Sequence, residues 1–232
     1  GSIIKEFHGS IEAKDLFFQY PQTKNPIFES LNLNFSAGDV ISVIGSNGSG
    51  KSTLMNVFAS VLELSRGSIM IDGIELAQLS KTWYRSQIAF SPQEPKFIDG
   101  SIKDNLIGSN EIKEIDFKNI LIEVDLINYI NSREKGLNTL LEDRGETLPV
   151  GIRKRMSLAR AMINRGQLII LDEPTEGLDI TGKEKVKNLI NNEKEKKKTI
   201  IIATNDQEII NLSHILVDMN SKPKPNIARV KK

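Results

Sequence analysis

Gly45-Ser46-Asn47-Gly48-Ser49-Gly50-Lys51-Ser52 matches the pattern G-x-x-x-x-G-K-[ST] in full, and its reading decides the fold. Glycines let a backbone curl round a phosphate chain so that successive N–H groups point inward. In such a loop the ammonium of Lys51 reaches the β- and γ-phosphates, and the Ser52 hydroxyl ligates Mg²⁺. The flanks agree with this reading. Val40-Ile41-Ser42-Val43-Ile44 is a short, nearly continuous apolar run rich in β-branched residues, the pattern of a strand buried on both faces. Residues 52–62 read as a helix, whose N-terminus favours an anion. A chance turn rich in Gly and Ser would need neither flank.

A second element lies far along the chain. Leu168-Ile169-Ile170-Leu171 is followed at once by Asp172-Glu173. A carboxylate ending a buried strand beside a phosphate loop can hold the Mg²⁺ shell, and the next one can orient or deprotonate an attacking water. Alone, four apolar residues followed by Asp-Glu mark only a strand end. Together with the phosphate loop they imply a bound nucleoside triphosphate.

Composition narrows the class. The chain has 232 residues, of which 26% are charged and 39% are hydrophobic, ordinary for a folded domain with a core of its own. Lys and Arg number 31 against 30 Asp and Glu, so no nucleic-acid surface is expected. Cysteine is absent, which excludes a disulfide framework and a Cys-ligated zinc site and suits a reducing compartment. His8 and His214 are too few for a His-rich metal centre. The strongest apolar runs, 168–171 and 200–203, fall far short of a membrane span. There is no signal peptide, and Gly1-Ser2 without an initial Met reads as a scar of recombinant production. The expectation is a soluble piece, one that fits being cut from something larger.

The remaining pattern is α/β. Leu31, Leu33 and Phe35 alternate with Asn32 and Asn34, which is strand periodicity. Ser36-Ala37-Gly38-Asp39 and Asp72-Gly73 mark turns, the second after Ile69-Met70-Ile71. Phe117, Ile120, Leu121 and Val124 share one helical face, and 153–163 continues the helical middle with Met156, Ala159, Met162 and Ile163 spaced for burial. Residues 168–171 and 199–203 read as buried strands around a helix carrying Val186, Leu189 and Ile190. Such alternation argues for a parallel sheet. Residues 193–198 read as a solvated helix end, and 221–226, with Pro223 and Pro225, as a loop.

With both phosphate elements in hand, nearly all of residues 10–220 resembles the ATP-binding domain of ABC transporters. Tyr20 stands where that family places an aromatic that stacks on adenine; an aromatic of a core strand is the other reading. Gln93, in Phe90-Ser91-Pro92-Gln93-Glu94-Pro95, matches the family's Q-loop glutamine, which touches Mg²⁺ and senses the membrane partner. Ile102-Lys103-Asp104-Asn105-Leu106 and Glu142-Asp143-Arg144-Gly145 resemble exporter-type segments. Asp179, in Glu176-Gly177-Leu178-Asp179, fits the D-loop aspartate. The resemblance implies ATP contacts from Tyr20, Gln93 and the loop through Ser52 and Thr53. It implies Mg²⁺ held by Ser52, Gln93 and Asp172, with Glu173 as the catalytic carboxylate.

Three stretches depart from the family. Its Leu-Ser-Gly-Gly-Gln signature, which faces the γ-phosphate held by the opposite subunit, is here Leu148-Pro149-Val150-Gly151-Ile152. Pro149 offers neither hydroxyl nor N–H, and Val150 adds a branched side chain where a backbone should approach closely. Proline is welcome in a first helical turn, so these residues also read simply as a helix start. Asn205 falls at the switch-histidine position, where an amide carries no charge and shuttles no proton. Glu176 and Gly177 replace a serine and an alanine.

The fold expected is therefore an α/β one. It has a RecA-like phosphate-loop core, an N-terminal antiparallel β subdomain that contains Tyr20, and an inserted helical subdomain. Residues 3–93 and 166–232 form the β and core parts, 94–165 the helical one, and 1–232 a single nucleotide-binding domain. The resemblance implies MgATP binding and hydrolysis by a dimer that drives an exporter's transmembrane domain, carried on the same polypeptide, at the cytoplasmic face of the cell (inner) membrane. The second nucleotide-binding domain would be an identical or a different chain. The departures predict slow hydrolysis. They also keep open a regulatory ATP-binding module without useful hydrolysis, which the retained Glu173 opposes. A DNA-repair ATPase of the same family is disfavoured, because the stretch from Gln93 to Leu148 lacks room for its long coiled coil. An unrelated phosphate-loop kinase or GTPase would be told apart by base preference.

Overall fold

Three apolar runs, each too continuous to show a polar face, become three neighbouring strands of one sheet, which buries both their faces. The computed structural model describes residues 1–230; the last two residues of the expected domain, 231 and 232, lie outside the described ones. The chain begins β1 (Ile11–Phe18), β2 (Phe28–Phe35), β3 (Val40–Ile44), α1 (Lys51–Phe58), β4 (Arg66–Ile71) and β5 (Ile74–Glu75). It continues α2 (Lys81–Gln87), β6 (Ile88–Ser91), α3 (Ile102–Ile107), α4 (Glu114–Glu123), α5 (Ile127–Asn131) and α6 (Val150–Ile163). It closes with β7 (Leu168–Asp172), α7 (Ile180–Glu195), β8 (Thr199–Ala203), α8 (Gln207–Ile210), β9 (Ile215–Asp218) and β10 (Asn226–Arg229).

The six-stranded sheet has the order β10-β9-β3-β8-β7-β6, with every pairing parallel except β10 on β9. Register aligns Val43 with Ala203 and Ala203 with Asp172. The loop after β3, the turn after β8 and the carboxylates ending β7 therefore emerge side by side at one edge. Ligands of open parallel sheets bind at that carboxyl edge. A separate antiparallel sheet, β2-β1-β4-β5, packs its alternating Ile11, Ala13, Leu16, Leu31, Leu33 and Phe35 into one core with α1 and the first face of the parallel sheet. Helices α3 to α6 follow with no intervening named strand and share a second core with the other sheet face. The fold is the α/β arrangement expected.

Boundaries differ from the sequence reading in three places. The helix expected over 52–62 ends at Phe58, because Ser60 turns left-handed at φ 57° and the Val61 and Leu62 amides fold back to the Asn56 carbonyl. The helix expected from 153 begins at Val150, capped by an extended Pro149 whose carbonyl already accepts from Ile152 and Arg153. The loop expected over 221–226 gives way at Asn226 to β10, an edge strand of four exposed residues that carries no apolar alternation to find.

The carbonyl of Phe58, at the end of α1, accepts a 2.7 Å hydrogen bond from the fully buried Tyr84 hydroxyl of α2. Burial also pushes that phenol's ionisation well up. Tyr84→Phe removes this donor and is expected to cost about 1–2 kcal/mol of stability. Urea unfolding of the two proteins measures it, and coincident midpoints would show that the bond contributes nothing.

Candidate nucleotide site

The phosphate loop holds a shape that side chains would prevent. At Gly45, φ is 146° and an added Cβ would lie 2.5 Å from Ser49 Oγ; at Gly50, φ is 102° and a Cβ would overlap Ile27 Cγ2. Gly50 leads directly into α1, whose first turn has no acidic residue and no side-chain cap. The free N–H groups there leave the helix start open to an anion.

Lys51, at the first position of α1, is almost wholly buried. Its ammonium donates to the Gly45 carbonyl and, at 3.3 Å, to that of Ser46, and it lies 3.3 Å from the Glu173 carboxylate. Glu173 follows β7 at φ 49°, a left-handed conformation unusual for glutamate, fixed by its N–H donating to the Ala203 carbonyl at 2.8 Å. Strain of this kind persists where the surroundings over-determine it. Beside it, Asp172 is buried, and burial pushes its carboxyl up to about 6, with the Glu173 charge adding and the Ser52 hydroxyl, Lys154 and Lys51 opposing.

Asp172 Oδ1 is buried without a hydrogen-bond partner. Ser52 donates to Gln93 Oε1 at 2.9 Å, and Gln93 Nε2 lies 3.5 Å from Glu176. An orphaned carboxylate oxygen, a hydroxyl and an amide oxygen form an all-oxygen set suited to a hard divalent cation. Among the described residues no group of three or more His, Asp or Glu could hold a metal. A cation here would complete its shell with water and phosphate oxygens.

Tyr20 lies just beyond the end of β1 and is 38% exposed, so it is not an aromatic of a core strand. Its hydroxyl bonds Thr53 Oγ1 at 3.1 Å, and its ring meets Phe18 edge-on at 4.9 Å. It borders a cleft of about 410 Å³ together with Ile27, Ser46, Asn47, Gly48 and Gln93. The ring therefore has open space on the phosphate-loop side, as a stacking platform needs. Thr53 is buried and occupied by that phenol.

Other expected residues lie apart from the cleft. The signature stretch is not part of its lining; Leu148 is half-buried, Val150 is 51% exposed, and Ile152 packs on the helical core. Gly151 nearly touches the Gly177 carbonyl, 3.1 Å from where its Cβ would be. Asp179 caps α7, accepting from Gly182 N–H at 2.7 Å, and meets Arg155 of α6 at 3.2 Å. The Asn205 amide, at the switch-histidine position, is engaged by the backbone of Gly45.

Two lysines escaped the sequence reading. Lys154, buried in α6, donates to the carbonyls of Gln93 at 3.0 Å and Asp172 at 3.4 Å. Burial lowers its pKa, against the raising pull of Glu176, Asp172 and Glu173. Its only sequence signal is a cation on the buried face shared with Leu158 and Ala161. Lys222 donates to the carbonyls of Ile27 and Ser49, and Asn220 accepts from the Ser46 N–H at 2.9 Å. Those contacts come from too far along the chain to leave any local pattern.

Comparison with known proteins places this geometry in a family. The ABC transporter family model matches residues 28–176. ABC transporter B family member 1 of Dictyostelium discoideum is 34% identical over 221 residues, 94% of this chain and 24% of that protein. The ATP-dependent lipid A-core flippase of Wigglesworthia glossinidia brevipalpis is 31% identical over 202 residues, 86% of this chain and 35% of its own length. A bacterial Atm1-family ABC exporter solved with ATP bound superposes with a TM-score of 0.88 at 20% identity, over 97% of this chain and 39% of that one; at that identity the likeness is one of fold. The chain thus spans well under half the length of the proteins it matches.

The two unusual residues at 150 and 177 fit each other. Gly177 has φ 75°, and a Cβ there would lie 2.7 Å from Val150 Cγ1. Gly177→Ala is expected to destabilise by roughly 1–3 kcal/mol through backbone strain and overpacking. Combining it with Val150→Gly relieves the overpacking, so the double variant should lose less than the sum of the single ones. Denaturant unfolding of all four proteins tests the coupling. Strict additivity would show that the two residues do not oppose each other.

Proposed function

The chain belongs to the ABC transporter family, and from that premise we propose that it binds MgATP, pairs with a second nucleotide-binding domain and hydrolyses ATP to drive an exporter's transmembrane domain. The observation that carries this reading is the Lys51 ammonium, buried at the head of α1 and opposed by Glu173. Tyr20 would stack on the base, and loop amides from residue 47 to 53 would take the phosphates, since the N–H groups of Gly45 and Ser46 are held by Asn205 and Asn220. Lys51 would exchange Glu173 for phosphate oxygen, which leaves the Glu173 carboxylate free to accept a proton from water. Ser52, Gln93 and Asp172 would hold Mg²⁺, whose charge stabilises the departing phosphate. Asp172 gains most from such a cation, since burial otherwise disfavours its charged form.

The same reading assigns residues 94–165 to a helical subdomain and 3–93 with 166–232 to the core and β parts. No helix of the described residues is long and apolar enough to cross a membrane, so the membrane-spanning partner would be supplied by the rest of the transporter polypeptide. The domain would then work at the cytoplasmic face of the cell membrane. Residues 148–152, away from their own cleft, would act on the nucleotide of the partner domain. There Pro149 and the exposed Val150 offer fewer donors than serine and glycine, which favours a slow rate. A regulatory module that holds ATP with little turnover is the second reading, supported by the same two residues and by the engagement of Asn205 with Gly45.

Titration with a fluorescent ATP analogue tests binding. Lys51→Ala should weaken it by about 1.5–3 kcal/mol, roughly ten- to a hundred-fold, and unchanged affinity would overturn the site. Steady-state phosphate release separates the two readings. Wild type above a Glu173→Gln blank supports the transport ATPase, and a rate equal to the blank supports the regulatory module.

A further inference from the structure

The position after β8 carries a contact that the proposed chemistry does not use. Asn205 Nδ2 donates to the Gly45 carbonyl at 2.7 Å, and the Gly45 N–H donates back to Asn205 Oδ1 at 3.1 Å. Both polar groups of one peptide residue are thus held by both polar groups of one carboxamide. The fit is specific to an amide. Its oxygen and nitrogen point the same way, one accepting and one donating, whereas the two ring nitrogens of a histidine diverge and cannot both reach one residue.

Asn205 is itself fixed from both sides. The Thr204 N–H donates to the Val43 carbonyl at 3.0 Å, extending the pairing of β8 with β3. The Asp206 N–H donates to Thr204 Oγ1 at 2.9 Å, and Asp206 then caps α8. What Asn205 holds matters beyond its own contact, because the Gly45 carbonyl also accepts from the Lys51 ammonium. Gly45 in turn cannot be replaced without meeting Ser49. The first residue of the phosphate loop, the lysine at its end and the turn after β8 therefore form one connected unit.

We propose that Asn205 is a positioning residue for the phosphate loop: through Gly45 it presets the loop and the Lys51 ammonium for the phosphates, and so sets nucleotide affinity. This rests on the nucleotide-site reading above. A residue that shapes the loop acts on every nucleotide the loop holds, whether or not a γ-phosphate is present. A residue that touches the γ-phosphate acts only on the triphosphate. The two roles make opposite statements about ADP.

The experiment is equilibrium titration of wild type, Asn205→Ala, Asn205→His and Lys51→Ala with MgADP and with a non-hydrolysable MgATP analogue, circular dichroism confirming the fold of each. Asn205→Ala should weaken both nucleotides by the same factor, roughly three- to ten-fold, as expected for two partly exposed hydrogen bonds. Asn205→His, which keeps a polar side chain should the alanine variant misfold, should also fall short of wild type equally for both. A loss, or with histidine a gain, confined to the ATP analogue would overturn the proposal in favour of a γ-phosphate contact. Unchanged binding of both nucleotides would overturn it too. If wild type and Lys51→Ala bind alike, the nucleotide site itself falls, whatever Asn205 does.

Discussion

A single buried ammonium organises this molecule. Lys51 has almost no contact with solvent, and a charge removed from water must be matched by partners or it destabilises the fold. Its three partners come from two sides: the carbonyls of Gly45 and Ser46 behind it in the loop, and the Glu173 carboxylate from the end of β7. The loop curls round the ammonium, and Glu173, held at φ 49° by its N–H on the Ala203 carbonyl, brings its carboxylate to it. One of the partners is a carboxylate that a phosphate oxygen can replace at no loss of charge complementarity. The contact that balances the buried charge is thus the one a nucleotide would take over.

A second buried cation does similar work one layer below. Lys154 ties the carbonyl of Gln93 to that of Asp172, so α6, the segment after β6 and the end of β7 share one donor. Movement of α6 would be felt at Gln93 and Asp172, two of the three ligands proposed for Mg²⁺. The D-loop is joined to the same helix through Arg155, which meets Asp179 and Asp125, and through Val150 over Gly177. The helical part and the nucleotide cleft are therefore linked by side chains, although the signature stretch itself lies outside the cleft.

The features legible in the sequence are those encoded locally. The phosphate loop, the apolar runs of β3, β7 and β8, and the carboxylates after β7 each declare themselves within a few residues, and together they give the fold and half the site. Helix ends were harder, since the stop of α1 depends on a left-handed Ser60 that no composition rule marks. Strand β10 has only exposed residues and exists because β9 offers it an edge. The side of Tyr20 that faces the cleft follows from where β1 ends, a matter of pairing with β2. The pairs Asn205 with Gly45, Lys154 with Gln93 and Val150 with Gly177 join residues 27 or more positions apart. Asn205 and the Val150–Gly177 pair depart from the family pattern, and their partners are brought to them only by the fold.

On the function proposed above, the loop from residue 45 to 53, with the carboxylates at 172 and 173, is a preformed cradle for a nucleotide. Amide hydrogen exchange with and without saturating MgATP tests it most directly, because the loop N–H groups are the proposed phosphate donors. The account predicts added protection concentrated in the peptides covering 45–53 and 172–173, with the antiparallel sheet of β1, β2, β4 and β5 unchanged. Exchange at 45–53 that is the same with and without MgATP would contradict it.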